Sequence, residues 1–290
     1  MNAPFPPARG KLRVNISERN GGIVKLTEIK CKTLLTPSAI RGCDLAANPY
    51  AGCEHACAYC YAKFMKPHTF RDEVWGEYVD VRVNAAEAAI DQLCTGKFSG
   101  RSVFIGTITD PYQPAEKHYR LMRELLPVMN QFGMAVSILT KSGLVSRDID
   151  IIKDMKKVSV GLTITGIDER AREAFEPGAP PYAERLVALE KLSGAGVDTF
   201  AFIAPILPGI TDRDFDILLR WIKDSGAKEI MFDSLNYSEK NQDALLEGAR
   251  KACPGSTKEY VEYPVRAART LRGRVKSFEK ESDVKCSVFF

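Results

Sequence analysis

An α/β fold with parallel strands, a partial (β/α)6 barrel of the TIM type with short N- and C-terminal extensions, is predicted by three observations. Apolar β-type runs alternate with helical patterns between residues 42 and 235. Those runs are continuous more than alternating in polarity, as strands buried on both faces should be. The chain has 290 residues, 45% hydrophobic and 27% charged, which are globular values and ordinary for one α/β barrel.

Taken in order, residues 1–41 read as an extension, Pro-rich at first and then strand-like, as at Gly22–Ile29. A short strand enters near Asp44–Pro49, and a helix follows at Asn84–Leu93. Strand Arg101–Ile108 leads to helix Ala115–Phe132, which Pro127 is expected to kink and Gly133 to end. Strand Ala135–Thr140, helix Arg147–Met155 and strand Val158–Thr165 come next. Helix Tyr182–Ser193, strand Val197–Ala204, helix Asp212–Ser225 and strand Glu229–Ser234 complete the alternation. In helix Asp212–Ser225, Phe215, Leu218, Leu219 and Ile222 recur at i, i+3, i+4, i+7. Thr211 and Asp214 form an expected capping box and Gly226 an expected stop. Residues 236–290 read as a helical extension, so the expected organisation is 1–41, 42–235 and 236–290. The alternation implies parallel βαβ units, about six of them, too few to close an eight-stranded barrel. The active site should gather at the C-terminal ends of the strands.

A net charge of +4 neither demands nor excludes a nucleic-acid partner. No run of about 18 apolar residues is present, so no membrane span is expected. The start lacks the apolar core of a signal peptide, and Cys286 lies five residues from the end, one too many for a prenylation box. The protein reads as cytoplasmic. Its eight cysteines are too sparse for a disulfide scaffold, and three of them, Cys53, Cys57 and Cys60, fall within eight residues.

That trio, in Gly52-Cys53-Glu54-His55-Ala56-Cys57-Ala58-Tyr59-Cys60-Tyr61, has the spacing C-x3-C-x2-C. Thiolates are soft ligands that suit zinc and iron–sulfur clusters. Structural zinc usually takes four protein ligands, and the fourth here would be His55 or a distant Cys. Three cysteines on a [4Fe–4S] cluster instead leave one iron open to S-adenosylmethionine (SAM). His55 itself reads as a solvent-facing loop residue.

The loop, with an aromatic just before its last Cys, resembles the signature of the radical SAM superfamily. More of the chain is similar to its spore photoproduct lyase-like branch. The matching residues are Thr109-Asp110-Pro111-Tyr112-Gln113-Pro114, Thr140-Lys141-Ser142, Glu176-Pro177-Gly178-Ala179-Pro180 with Arg185, and Ala204–Gly209. The resemblance implies an enzyme that cleaves SAM to a 5′-deoxyadenosyl radical and abstracts hydrogen from a substrate, with lyase or transferase chemistry. It implies Tyr59 against the adenine, Lys141 at the SAM carboxylate and Thr163 or Thr165 at the ribose with Ser142 near it. It places Glu176 and Arg185 as a polar clamp near the methionyl end, Asp110 in the pocket floor and the Ala204–Gly209 backbone beside the adenine. An external electron donor such as flavodoxin or ferredoxin is implied as a partner. Where spore photoproduct lyase has a hydrogen-donating Cys, this chain has Gly106, Thr107 and Ile108, and a hydroxyl is a poor hydrogen-atom donor. Cys31, Cys43 or Cys94 could substitute if folded into the pocket.

Arg266, Arg269, Arg272, Arg274 and Lys276 crowd one stretch flanked by Tyr263 and Phe278. They could hold phosphates of DNA or RNA, or form a solvated helix face. Three functions stay open: a radical SAM enzyme of unknown substrate, the same chemistry aimed at a nucleic-acid base, and a non-catalytic zinc or iron–sulfur protein.

Overall fold

The computed structural model describes residues 11–19, 22–40, 42–64, 72–238, 241–262 and 265–290. Tyr263, one of the aromatics named above, lies outside them. The chain divides into two compact units. One holds Ala56 and the residues before it, Ala62–Thr140 and Arg147–Ser159; the other holds Cys57–Tyr61, Lys141–Ser146 and Val160–Phe290.

The first unit contains β1 (Lys11–Arg19), β2 (Gly22–Ile29), β3 (Leu35–Pro37), β4 (Leu45–Ala47), β5 (Tyr50–Ala51) and β6 (Tyr78–Arg82). It continues with α1 (Ala85–Leu93), β7 (Ser102–Ile105), α2 (Glu116–Tyr119), α3 (Leu121–Gln131), β8 (Ala135–Thr140) and α4 (Ile149–Ile152). β9 (Val158–Thr163) starts in this unit and finishes in the second. β2 pairs antiparallel with β1 and parallel with β6, which also takes β5 antiparallel. Elsewhere in the unit β4, β7 and β8 pair in parallel, and β3 adds antiparallel to β4. Val24, Leu26, Val79 and Val81 pack with Tyr50, Ala115 and Leu121 into one core cluster. Each large apolar side chain so buried contributes roughly 1.5–3 kcal/mol.

The second unit carries α5 (Glu169–Phe175), α6 (Tyr182–Gly194), β10 (Asp198–Ile206), α7 (Phe215–Asp224) and β11 (Glu229–Ser234). It ends with α8 (Gln242–Ala252), α9 (Glu259–Glu262), α10 (Arg266–Ser282) and β12 (Lys285–Val288). β10, β11 and β12 run parallel. Its core joins Phe175, Leu207, Ile210, Leu245 and Tyr260 to Cys57 and Tyr59 of the cysteine loop.

The predicted class is the observed one, and all six expected strands are present, with ends shifted by a few residues. A strand reading missed, β12, closes the stretch expected to be helical. β8 buries alternate residues, Val136, Ile138 and Thr140, while Ala135, Ser137 and Leu139 on the other face are half-buried. The helix expected over 115–132 is split at Arg120, whose φ is +52°, while Pro127 sits inside α3. The cause is Glu116: its carboxylate accepts the Met122 N–H at 3.1 Å, capping the first turn of α3 from outside the helix. The expected Thr211–Asp214 capping box does not form. Thr211 Oγ1 instead donates to the Thr165 carbonyl at 2.5 Å and accepts the Leu207 N–H at 2.9 Å. Gly133 and Gly226 do follow their helices at φ +69° and +83°.

Candidate active site

The cysteine loop leaves β5 at Gly52, whose φ is +91°. A Cβ there would stand 2.3 Å from the Tyr78 carbonyl oxygen, so only glycine fits. Within the first unit, the turn after β7 grips the loop. Glu54 N–H donates to Gln113 Oε1 (2.9 Å), Gln113 Nε2 to the Gly52 carbonyl (3.3 Å), and Ala115 N–H to Glu54 Oε1 (2.7 Å). Residues of the Thr109–Pro114 motif therefore hold the loop that carries the cysteines. Asn48 braces the same turn: its Oδ1 accepts from Ile108 N–H at 3.1 Å and its Nδ2 donates to Thr107 Oγ1 at 2.9 Å. Thr107, the residue near the missing cysteine, is engaged as a structural tie. Ala56 completes the bend at φ +50°, a conformation that costs an alanine about 1 kcal/mol.

His55 is not solvent-facing. It is 1% exposed, and its Nδ1 lies 3.3 Å from Asp110 Oδ2. The other Asp110 oxygen accepts from Tyr112 N–H at 2.9 Å and from Thr140 Oγ1 at 2.5 Å. Burial follows from this partner across the turn, which local sequence does not announce. Cys53 is buried beside it in sequence. The three cysteines considered as hydrogen donors stay in this unit: Cys94 is exposed at the end of α1, Cys43 donates to the Leu45 carbonyl, and Cys31 is bonded through its N–H to Asn84.

In the second unit Cys57, Tyr59, Cys60, Lys141, Ser142, Thr163, Thr165, Glu176 and Arg185 come together with residues that sequence reasoning missed. Ala58 N–H donates to the Phe175 carbonyl at 2.8 Å, fixing the loop to the end of α5. The Tyr59 hydroxyl donates to Glu176 Oε1, and Arg185 Nη2 pairs with Glu176 Oε2. Thr165 Oγ1 also donates to Glu176, at 3.0 Å, and shares a 2.8 Å bond with Tyr182. Arg185 is enclosed by the carbonyls of Thr163 (3.0 Å) and Pro180 (2.8 Å) and lies over the Tyr182 ring at 4.7 Å. Both members of the ion pair are 0% exposed, so this clamp is no surface salt bridge. Lys141 holds its ammonium 5.6 Å from the centre of the Tyr59 ring, and Ser142, the next residue, is buried and accepts the Leu144 N–H.

The electrostatics follow from this enclosure. Burial works against the Glu176 carboxylate, but Arg185 and then Lys141 hold it down at about 2. Burial, and next the Glu176 charge, push the Tyr59 hydroxyl well above its ordinary range, so it remains a donor. Burial pushes the Cys57 thiol up to about 12 against the pull of Lys141. A bare thiol there stays protonated at neutral pH, and a bound metal would supply the charge that makes it a thiolate. The donor set, three cysteines with a buried thiol and a pinned aromatic, fits an iron–sulfur cluster. Among the described residues no group of three or more His, Cys, Asp or Glu could hold a metal ion.

Comparison with known proteins agrees. Residues 47–222 match the Radical SAM superfamily. An uncharacterized protein of Methanocaldococcus jannaschii is 34% identical over 195 residues, covering 67% of this chain and 72% of that protein. The radical SAM Nα-GlyT isomerase of Pseudomonas phage M6 is 24% identical over 171 residues, 59% of this chain and 35% of the isomerase. Among solved structures, spore photoproduct lyase complexed with dinucleoside spore photoproduct superposes with a TM-score of 0.67 at 17% identity, covering 91% of this chain and 81% of that one. At that identity the likeness speaks for the fold. The chain belongs to the radical SAM superfamily, and membership implies a [4Fe–4S] cluster and SAM as cofactors.

Proposed function

We propose that this radical SAM protein holds its cluster on Cys53, Cys57 and Cys60 and abstracts hydrogen from a substrate still to be identified. When bound, the cluster and SAM together supply one electron to a sulfonium and a 5′-deoxyadenosyl radical. The single observation that carries the reading is the fixing of Tyr59, between two of the cysteines, by the buried Glu176–Arg185 pair.

The chain's own residues have separate tasks. Tyr59 offers a ring whose position is set by its hydroxyl. Lys141, at the end of β8, is placed to meet a carboxylate, and Ser142 follows it. Thr163, through its carbonyl, and Thr165, through its hydroxyl, support Arg185 and Glu176, and the network keeps Tyr59 in place. Asp110 and Glu54 hold the first half of the loop. An external reductant such as flavodoxin or ferredoxin would deliver the electron. No described helix is long and apolar enough to cross a membrane.

A nucleic-acid substrate is favoured by one feature. Arg266, Arg269, Arg272, Lys276 and Lys280 are exposed and recur three or four residues apart along α10, which keeps them on one face. Arg274 is not part of that stripe: it pairs with Asp216 at 2.8 Å and donates to the Asp212 carbonyl. A five-cation stripe predicts affinity for DNA or RNA that falls with salt, with a log–log slope of about −4.

The deciding experiment is anaerobic reconstitution with iron and sulfide, then dithionite and SAM. Expected are about four irons per chain, a SAM-perturbed paramagnetic signal and 5′-deoxyadenosine. Each of Cys53→Ala, Cys57→Ala and Cys60→Ala should abolish all three, whereas Lys141→Ala should keep the iron and weaken SAM binding. A triple cysteine variant that still cleaved SAM would refute the assignment.

A further inference from the structure

In the second unit, β11 ends on a carboxylate that the function above leaves unused. Phe232 packs on Phe215 of α7, with ring centres 5.8 Å apart, so that side chain points toward the helix. Side chains alternate along a strand, which puts Met231 and Asp233 on the opposite face. β10 repeats the pattern, since Ile203 pairs with Phe232 and Phe202 with Met231. Ile203, Ile230 and Phe232 are buried, whereas Phe202, Ala204, Met231 and Asp233 are all half-buried. This second face is an accessible apolar floor with one acidic group at its end. That end is the C-terminal end of a parallel strand, where folds of this class take their ligands. Two residues on, Leu235 packs in one core cluster with Cys57 and Tyr59, all within the same unit.

Asp233 is poorly compensated. Its Oδ1 accepts the Ser234 N–H at 2.8 Å. Burial raises its carboxyl above the ordinary 3.8, and only that N–H pulls it back; no described cation pairs with it. Glu229, at the other end of the same strand, is met by Lys285 at 2.9 Å and by the Ser287 hydroxyl at 2.6 Å. A carboxylate drawn out of water without a cation is destabilised, and a ligand that brings the cation relieves it. We propose that Asp233 is a substrate-binding residue that takes a protonated amine on Oδ2, with the apolar stem of the amine laid along Met231 and Phe202. The proposal rests on the cluster reading above and deepens it by naming a substrate class, an amine on an apolar stem. The ammonium supplies the charge that the strand end lacks, and the floor covers the stem. A phosphate is repelled here, so the backbone of a nucleic acid would lie elsewhere.

The test is calorimetry on the full chain, reconstituted, left oxidised and saturated with SAM, so that the ammonium of SAM is already placed. The probes are benzylammonium and benzyl alcohol, close in shape and different in charge. Benzylammonium should bind about tenfold more tightly, as a charge-assisted hydrogen bond provides. Asp233→Asn, which keeps the volume, should remove that advantage and leave benzyl alcohol unchanged. Met231→Ala should weaken both probes alike. Equal affinity of the two probes for the unmutated chain, or an advantage that survives in Asp233→Asn, would overturn the inference. The comparison of probes on the unmutated chain stands even if a variant misfolds. Iron content and 5′-deoxyadenosine are measured separately, so a chain that takes up no cluster sinks the underlying reading by a different observation.

Discussion

Tyr59–Glu176–Arg185 in the second unit and Tyr50–Glu116–Arg147 in the first join the same residue types in the same order, hydroxyl to carboxylate to guanidinium. They differ in enclosure. Arg185 is fully buried and spends its remaining donors on backbone carbonyls, whereas Arg147 is 22% exposed and is shared with Asp148. The carboxylates respond in opposite ways. Glu176 is held far below its ordinary value by Arg185 despite its burial, while for Glu116 burial wins over Tyr50 and Arg147 and raises it. How completely the counter-ion shares the buried space decides which force prevails. The two triads also serve different ends: one pins a ring beside the cysteines, the other caps a helix through Met122.

The largest effect expected from breaking this contrast is in Arg185→Met. It strands a buried carboxylate and should cost about 3–5 kcal/mol in denaturant unfolding, against roughly 1–2 kcal/mol for Arg147→Met, because Glu116 can take up a proton instead. Equal losses would mean that enclosure is not what separates the triads.

A pH series sharpens the comparison. Glu176 is depressed from 4.5 to about 2, so its contribution is present above 4.5 and is lost as pH falls from there toward 2, on the order of 3 kcal/mol. Glu116 is raised above 4.5, so its contribution is present below that pH and is lost as pH rises through its folded value. Glu176→Gln should therefore be most harmful at neutral pH and nearly silent in acid. Glu116→Gln should show the opposite trend, and parallel stability curves for the two variants would contradict these assignments.

The smallest effects belong to the hydroxyls. Tyr59→Phe should cost about 1.5–3 kcal/mol as a donor to a charged group, and Tyr50→Phe about 1 kcal/mol. Calorimetry on both would reveal a reversed order.

The contrast also shows what the sequence makes legible. Apolar runs such as Val158–Thr163 and Glu229–Ser234 announce their strands because burial imposes composition directly. β12, reading Lys-Cys-Ser-Val, is short and polar and exists only because β11 offers it an edge. α5 has two buried residues, Ala171 and Phe175, too few to form a periodic signal. At the site, the cysteines, Tyr59, Glu176 and Arg185 stand out by spacing or resemblance, but their wiring does not. Thr211 reads as a cap and turns out to tie two strand ends, and His55 reads as solvated and is buried. Both misreadings concern polar side chains whose partners are distant in sequence, where local pattern carries no information.

The manner in which Tyr59 is held has a consequence for its motion. The axis about which a tyrosine ring turns passes through its hydroxyl, so an anchor at that oxygen leaves spinning about the axis free while blocking any swing of the side chain as a whole. A half-turn about that axis exchanges the two faces of the ring, and to a flat partner those faces are equivalent. A flat molecule arriving against it thus meets a bearing that turns in its seat but does not leave it.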